Sequence, residues 1–107
     1  MARGSEKVLD RLFRALASGA RRKILRLAAP EKCAVTQLAA LLKMSEPAVS
    51  KHVRVLVNAE LLSKTREGRY RWCRLRRGAF ELARKSIEEL CSVAQSSSRN
   101  RATPPKN

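Results

Sequence analysis

Aromatic residues are scarce in this 107-residue chain: two Phe, one Trp and one Tyr make up 4% of it. Tyr70 and Trp72 are the sole candidates for stacking unpaired bases, which weighs against a single-stranded RNA platform. Histidine occurs once and Asp plus Glu only nine times. No Gly-rich phosphate loop is present either, so no coherent catalytic site, cofactor or metal centre is expected. Cys33, Cys73 and Cys91 are odd in number and unevenly spaced, which excludes a disulfide framework and suits a reducing compartment. The chain has no apolar run of about 18 residues for a membrane span. Its start, MARGSEKVLD, lacks the apolar core of a secretory signal, so a cytoplasmic protein without a membrane partner is expected.

Positive charge, by contrast, is abundant. The 24 Lys and Arg against 9 Asp and Glu give a formal net charge of +15. This exceeds what solubility requires and usually answers a polyanion, with nucleic acid the leading class. A chain of this length supports one compact domain with a modest core, and such domains often gain stability by oligomerising.

Apolar periodicity predicts five helices. Ser5 is placed to cap the first, from about Glu6 to Ala17, with Leu9, Leu12, Phe13 and Leu16 on one stripe. Ser18-Gly19 breaks that pattern. The second helix runs from about Ala20 to Pro30, turning Ile24, Leu25 and Leu27 inward, and a loop from Glu31 to Ala34 follows. Leu38, Leu41 and Leu42 are the expected buried face of the third helix. Ser45 is a good N-cap for the fourth, and Pro47 stands in its first turn, where a missing N–H costs nothing. The pieces Leu61 to Thr65 and Tyr70 to Arg76 read as strands around Glu67-Gly68. The last helix, from about Ala79 to Ala94, carries Phe80, Ala83, Ile87, Leu90, Cys91 and Ala94 at helical spacing. The domain is expected to cover residues 1–95, and the polar residues 96–107 to form a disordered tail.

The fourth helix divides its residues sharply. Val49, Val53, Leu56 and Val57 fall on one side; Glu46, Pro47, Ser50, Lys51 and Arg54 share the other, which is small, polar and cationic. Entering a major groove by its N-terminus, such a helix would offer Ser50 and Lys51 to base edges and Pro47 or Ala48 to a thymine methyl. Arg54 would reach a phosphate. Arg66 and Arg69 at the hairpin tip, with Arg71 behind them, could grip phosphates or enter a narrow minor groove. Eight Lys or Arg between Lys51 and Arg76 face only Glu60 and Glu67, so these charges do more than solvate a surface. Glu46 at the groove-entering end either accepts from a cytosine amino group or stabilises the helix dipole. His52 lies next to the apolar side and is expected to pack or to contact a phosphate.

The sequence PAVSKHVRVL (Pro47 to Leu56) followed by REGRYRWCRL (Arg66 to Leu75) closely resembles the ArsR family of bacterial winged-helix repressors, and FRALASGARRKIL resembles the start of that family's second helix. The resemblance implies a mainly α winged helix-turn-helix, five helices with a two-stranded β-hairpin wing. It also implies a homodimer built by the first and last helices, here through Leu9, Leu12, Phe13, Leu16, Phe80, Ile87 and Leu90. Its partner would be a roughly palindromic double-stranded DNA operator, contacted by Ser45, Glu46, Pro47, Ala48, Ser50, Lys51, His52, Arg54, Arg66, Arg69 and Arg71. Metal-sensing members carry Cys-x-Cys at the start of the third helix, where this chain reads Cys33-Ala34-Val35. The resemblance is therefore to the group lacking metal ligands, in which Cys73 is a packing residue.

The expected function is a promoter-occupying repressor. One alternative keeps the fold and adds release by metal, arsenite or thiol oxidation; there Cys33, in its loop, is the most reactive thiol and Cys91 its partner across a dimer. A second is a basic structural RNA-binding protein. Glu60 stands where the resembled family has Gly in a left-handed turn, which costs a non-Gly residue about 1 kcal/mol unless Asn58 takes the turn instead.

Overall fold

Two apolar-faced helices that cannot cover their own stripes set the plan: α1 (Ala2–Leu16) and α2 (Gly19–Ala28) pack around Leu12, Ala15, Ile24 and Leu25. A computed structural model describes residues 2–100, and side-chain surroundings for residues 6–95. There follow β1 (Cys33–Ala34), α3 (Val35–Leu42), α4 (Glu46–Asn58), β2 (Leu62–Glu67), β3 (Tyr70–Leu75) and α5 (Arg77–Asn100). Five helices and a small antiparallel sheet make the mainly α winged helix-turn-helix that the sequence predicts.

Polar chemistry fixes the helix ends. Ser18 Oγ accepts the Arg21 N–H at 3.3 Å, so the break at Ser18-Gly19 is an N-cap. The last carbonyls of α1 are taken up from α2: Arg21 Nε donates to Ala15 O at 2.8 Å, Arg21 Nη2 to Arg14 O at 3.1 Å, and Arg22 Nη1 to Leu16 O at 2.7 Å. Ser45 Oγ accepts the Ala48 N–H at 3.2 Å at the head of α4. Helix α1 begins at Ala2, so Ser5 lies within the helix and not at its N-cap position.

Both helices of the turn motif stop in a left-handed residue. Lys43 (φ 56°) ends α3 and Glu60 (φ 61°) ends α4. At the second stop the Leu61 N–H reaches Leu56 O at 3.0 Å and the Glu60 N–H reaches Val57 O at 2.9 Å, with Leu56 and Leu61 both buried. Glu60, not Asn58, takes the turn and bears its cost.

Three further expectations are corrected. The Glu31 to Ala34 loop contains strand β1, so the wing is part of a three-stranded sheet in the order β1-β3-β2 rather than a lone two-stranded hairpin. Cys33 pairs with Cys73 and Ala34 with Trp72. Hydropathy alone could not reveal a strand of two residues, since it is created by its partner. Leu41 is 61% exposed; the buried face of α3 is Val35, Leu38 and Ala39. Helix α5 extends to Asn100, so residues 96–100, expected in the tail, are helical, while 101–107 lie outside the described residues.

The hairpin turns on Gly68 and Arg69, with Glu67 opposite Tyr70. Gly68 has φ +65°, which glycine adopts without a Cβ penalty. The core lies between α2, α3, α4 and the sheet, where Leu38, Val49, Val53, Leu56, Leu61, Leu62 and Cys73 are fully buried.

Candidate nucleic-acid interface

Helix α4 presents its polar side outward because Val49, Val53 and Leu56 are wholly buried on the other. Ser45, Glu46, Pro47, Lys51 and Arg54 are exposed, and Ala48, Ser50 and His52 are half-buried. Arg66 and Arg69 are exposed at the wing tip. Lys51, Arg54, Arg66 and Arg69 have no ion-pair or hydrogen-bond partner among the described residues. Four free cations on one helix and one hairpin form a surface without internal neutralisation.

Arg71 behaves differently. From β3 it reaches across to α4, where Nη2 lies 3.5 Å from Glu46 Oε1 and Nη1 donates to Ser50 Oγ at 3.3 Å. One guanidinium thus ties the wing to the leading turn of α4. It also answers the difficulty of Glu46: the carboxylate at the groove-entering end faces a cation of its own chain, which reduces repulsion from phosphate. Ser50, expected to hydrogen-bond to a base edge, accepts from Arg71 and keeps its own O–H as a donor. Sequence spacing carried no signal for this bridge, because it depends on how β3 packs beside α4.

His52 meets Arg21, with Nη1 at 3.3 Å from Nδ1. A guanidinium can only donate, so Nδ1 accepts and the ring proton sits on Nε2. Burial, and then the Arg21 charge, hold the imidazole below its ordinary value. His52 is thereby a neutral linker between α4 and the capped end of α1.

A second cluster braces the wing from the other side. Lys32 Nζ lies 3.0 Å from Glu67 Oε1 and 4.6 Å from the centre of the Trp72 ring, and Arg74 Nη2 lies 3.5 Å from Glu67 Oε2. The Lys32 hydrogen bond and the two cations hold the Glu67 carboxyl below the usual carboxylate range. Tyr70 and Trp72 pack tilted with ring centres 6.0 Å apart. Trp72 is partly covered and serves the wing rather than an open stacking platform.

At the other end, the residues expected at a dimer surface separate into two sets. Leu12 is buried at 1% exposure within the chain's own core, which removes it from any exposed face. Leu9, Phe13, Leu16 and Phe80 pack partly against that core. Ile87 and Leu90 are exposed on α5, together with Leu82 and Val93 of the same helix and Val8 of α1, which sequence reasoning missed. Val8 and Leu82 lie beside the predicted stripes, so only packing reveals that they remain uncovered.

Cysteine placement also differs from expectation. Cys33 is in strand β1, not a loop, and is buried; burial, then the Glu31 charge, push its thiol up. Cys73 is fully buried, and burial likewise raises it, partly opposed by Lys64 and Arg71. Cys91, at helical spacing with the apolar residues of the last helix, is exposed on α5. Within the chain the register partner of Cys33 is Cys73. Among the described residues no three His, Cys, Asp or Glu converge as a metal site, and no helix is long and apolar enough to cross a membrane.

Residues 18–64 match the family of bacterial regulatory proteins described as the arsR family. An HTH-type transcriptional regulator of Mycobacterium tuberculosis is 47% identical over 53 residues, 50% of each chain, so the match spans about half the length of that relative. The crystal structure of an ArsR family transcriptional regulator is 26% identical, covering 91% of this chain and 96% of that one with a TM-score of 0.72. The solution structure of a homodimeric winged helix-turn-helix DNA-binding domain from Mycobacterium bovis is 25% identical, covering 92% and 89% with a TM-score of 0.63. With the helix-turn-helix, the wing and these likenesses in agreement, residues 18–64 carry an arsR-family helix-turn-helix domain, and the chain has a winged helix-turn-helix fold.

Proposed function

We propose that the protein is a homodimeric repressor that binds a duplex operator and acts by occupying a promoter. The observation that carries this reading is the set of unpartnered cations, Lys51 and Arg54 on α4 with Arg66 and Arg69 on the wing, flanking a small polar helix end. Lys51, Pro47 and Ala48 face base edges in the major groove, and Arg54 takes a phosphate. Arg66 and Arg69 hold the backbone or the adjacent minor groove. Arg71 sets the angle between the two elements. Two copies joined through the exposed apolar residues of α1 and α5 would present two such ends, as in the homodimeric Mycobacterium bovis domain. The single thiol in Cys33-Ala34-Val35 supports a place in the group without a metal pair, and nothing in the chemistry requires catalysis or a cofactor.

Selection from a random duplex pool identifies the operator, and two half-sites about one helical turn apart are expected. Lys51→Ala and Arg69→Ala should each weaken operator binding and reduce the slope of log affinity against log salt by about one. If both variants keep wild-type affinity and slope, these contacts are wrong. An unrelated RNA that competes as well as the operator would overturn the choice of duplex DNA.

A further inference from the structure

We propose that Cys33 and Cys73 form a reversible disulfide between strands β1 and β3, made by a peroxide and broken by a small thiol, that locks the wing to the segment leading into α3. The two residues are register partners on neighbouring antiparallel strands. Such partners have Cα atoms about 4.5–5.5 Å apart, inside the range of roughly 4.4–6.8 Å that a disulfide spans. Their Cβ atoms, at about 4.5–5.5 Å, must draw in toward the ~3.8 Å of the bond. Strand β1 can make that movement, because it has two residues and pairs on one side only. Cys33 is also among the groups that push the Cys73 thiol up, after burial.

Access orders the steps. Cys33, on the edge strand, retains 7% exposure, whereas Cys73 has none. The Cys33 thiolate attacks one oxygen of hydrogen peroxide, the O–O bond breaks, and hydroxide leaves and takes up a proton as water, giving a sulfenic acid. The Cys73 thiolate then attacks that sulfur; the S–O bond breaks, a second water leaves and the S–S bond forms. Two thiols lose two electrons and two protons, and one peroxide becomes two waters. A small thiol reverses the link by exchange through a mixed disulfide. Burial of both sulfurs makes the forward reaction slow. The bond would join the residue before Ala34 and α3 to the strand that carries Arg71, closing a long loop whose freedom the unfolded chain then loses.

The test treats the native full-length protein and its Cys91→Ser variant with hydrogen peroxide, then counts thiols and maps unreduced peptides by mass. The three free thiols of the native chain should fall to one, and those of Cys91→Ser from two to none. The peptides bearing Cys33 and Cys73 should appear joined and lighter by two hydrogens. Dithiothreitol should restore all thiols, and the oxidised form should melt at a higher temperature than the reduced one. Cys33→Ser, a change at the sheet edge, should abolish the link, and Cys73→Ala should do the same. Three surviving thiols, loss only through Cys91 cross-links between copies, or oxygen adducts without the joined peptide would each overturn the disulfide. An oxidised form that melts no higher would overturn the lock. None of these readings depends on DNA binding, so the failure of either proposal is visible apart from the other.

Discussion

The end of the molecule built by α4 and the wing and the end built by α1 and α5 differ in what they leave unfinished. At the first, Val49, Val53, Leu56 and Leu62 are buried, Lys51, Arg54, Arg66 and Arg69 are exposed without a partner among the described residues, and Arg71 bridges to Glu46 and Ser50. At the second, Ile87, Leu90 and Val93 are half or more exposed, and none of the described residues covers them. The first end leaves chiefly charge unanswered; the second leaves an apolar stripe uncovered among the described residues. In the function proposed, a polyanion and a second copy of the chain are the respective complements, so that one small domain carries both without the two surfaces competing.

That comparison breaks most sharply at paired leucines. Leu12→Ala removes a buried side chain and should destabilise the protomer by about 2–5 kcal/mol in urea unfolding. Leu90→Glu, on the exposed face, should leave the unfolding of a dilute monomer nearly unchanged but abolish dimers in sedimentation. Operator binding should then fall to that of a single half-site. Equal effects of the two changes on protomer stability would erase the distinction between core and interface.

The strained stop of α4 tests the first end more gently. Glu60→Gly should raise stability by about 1 kcal/mol, since glycine occupies the left-handed region freely. The Glu60–Arg76 pair it removes is exposed and 3.8 Å long, hence of little value. An unchanged or lowered urea midpoint would show that the turn bears no strain.

The smallest effect concerns the link between the two ends at His52. The folded imidazole lies below its ordinary value of 6.5, so as pH falls the unfolded chain takes up that proton first. His52 therefore contributes no pH-dependent loss while both states are neutral. It lowers stability as pH falls through 6.5, until the folded ring protonates as well. Urea midpoints measured between about pH 7.5 and about pH 5 should fall more for the wild type than for His52→Asn. In that variant an amide oxygen can still accept from Arg21. Parallel curves would remove His52 from the pH response.

Much of this was legible beforehand where a residue's role depends on its near neighbours. Ser18 and Ser45 cap the helices they precede, Pro47 stands in a first turn, and Gly68 turns the hairpin. The outward set on α4 followed from helical spacing alone. Leu41 misled because its spacing suits burial while no described element covers it. Cys33 misled because its strand exists only through pairing with β3. Leu12 and Leu90 lie on comparable stripes, and only the packing of α1, α2 and α5 separates core from surface.

By itself the sequence determined the five helices, the wing and the cationic character of one surface, because caps, periodicity and charge act over a few residues. Tertiary structure alone decided that Cys33 faces Cys73, that Arg71 restrains Glu46 and Ser50, and which leucines remain exposed. Those facts join residues about twenty to forty positions apart, and their distances are set by how whole elements pack, which no local pattern encodes.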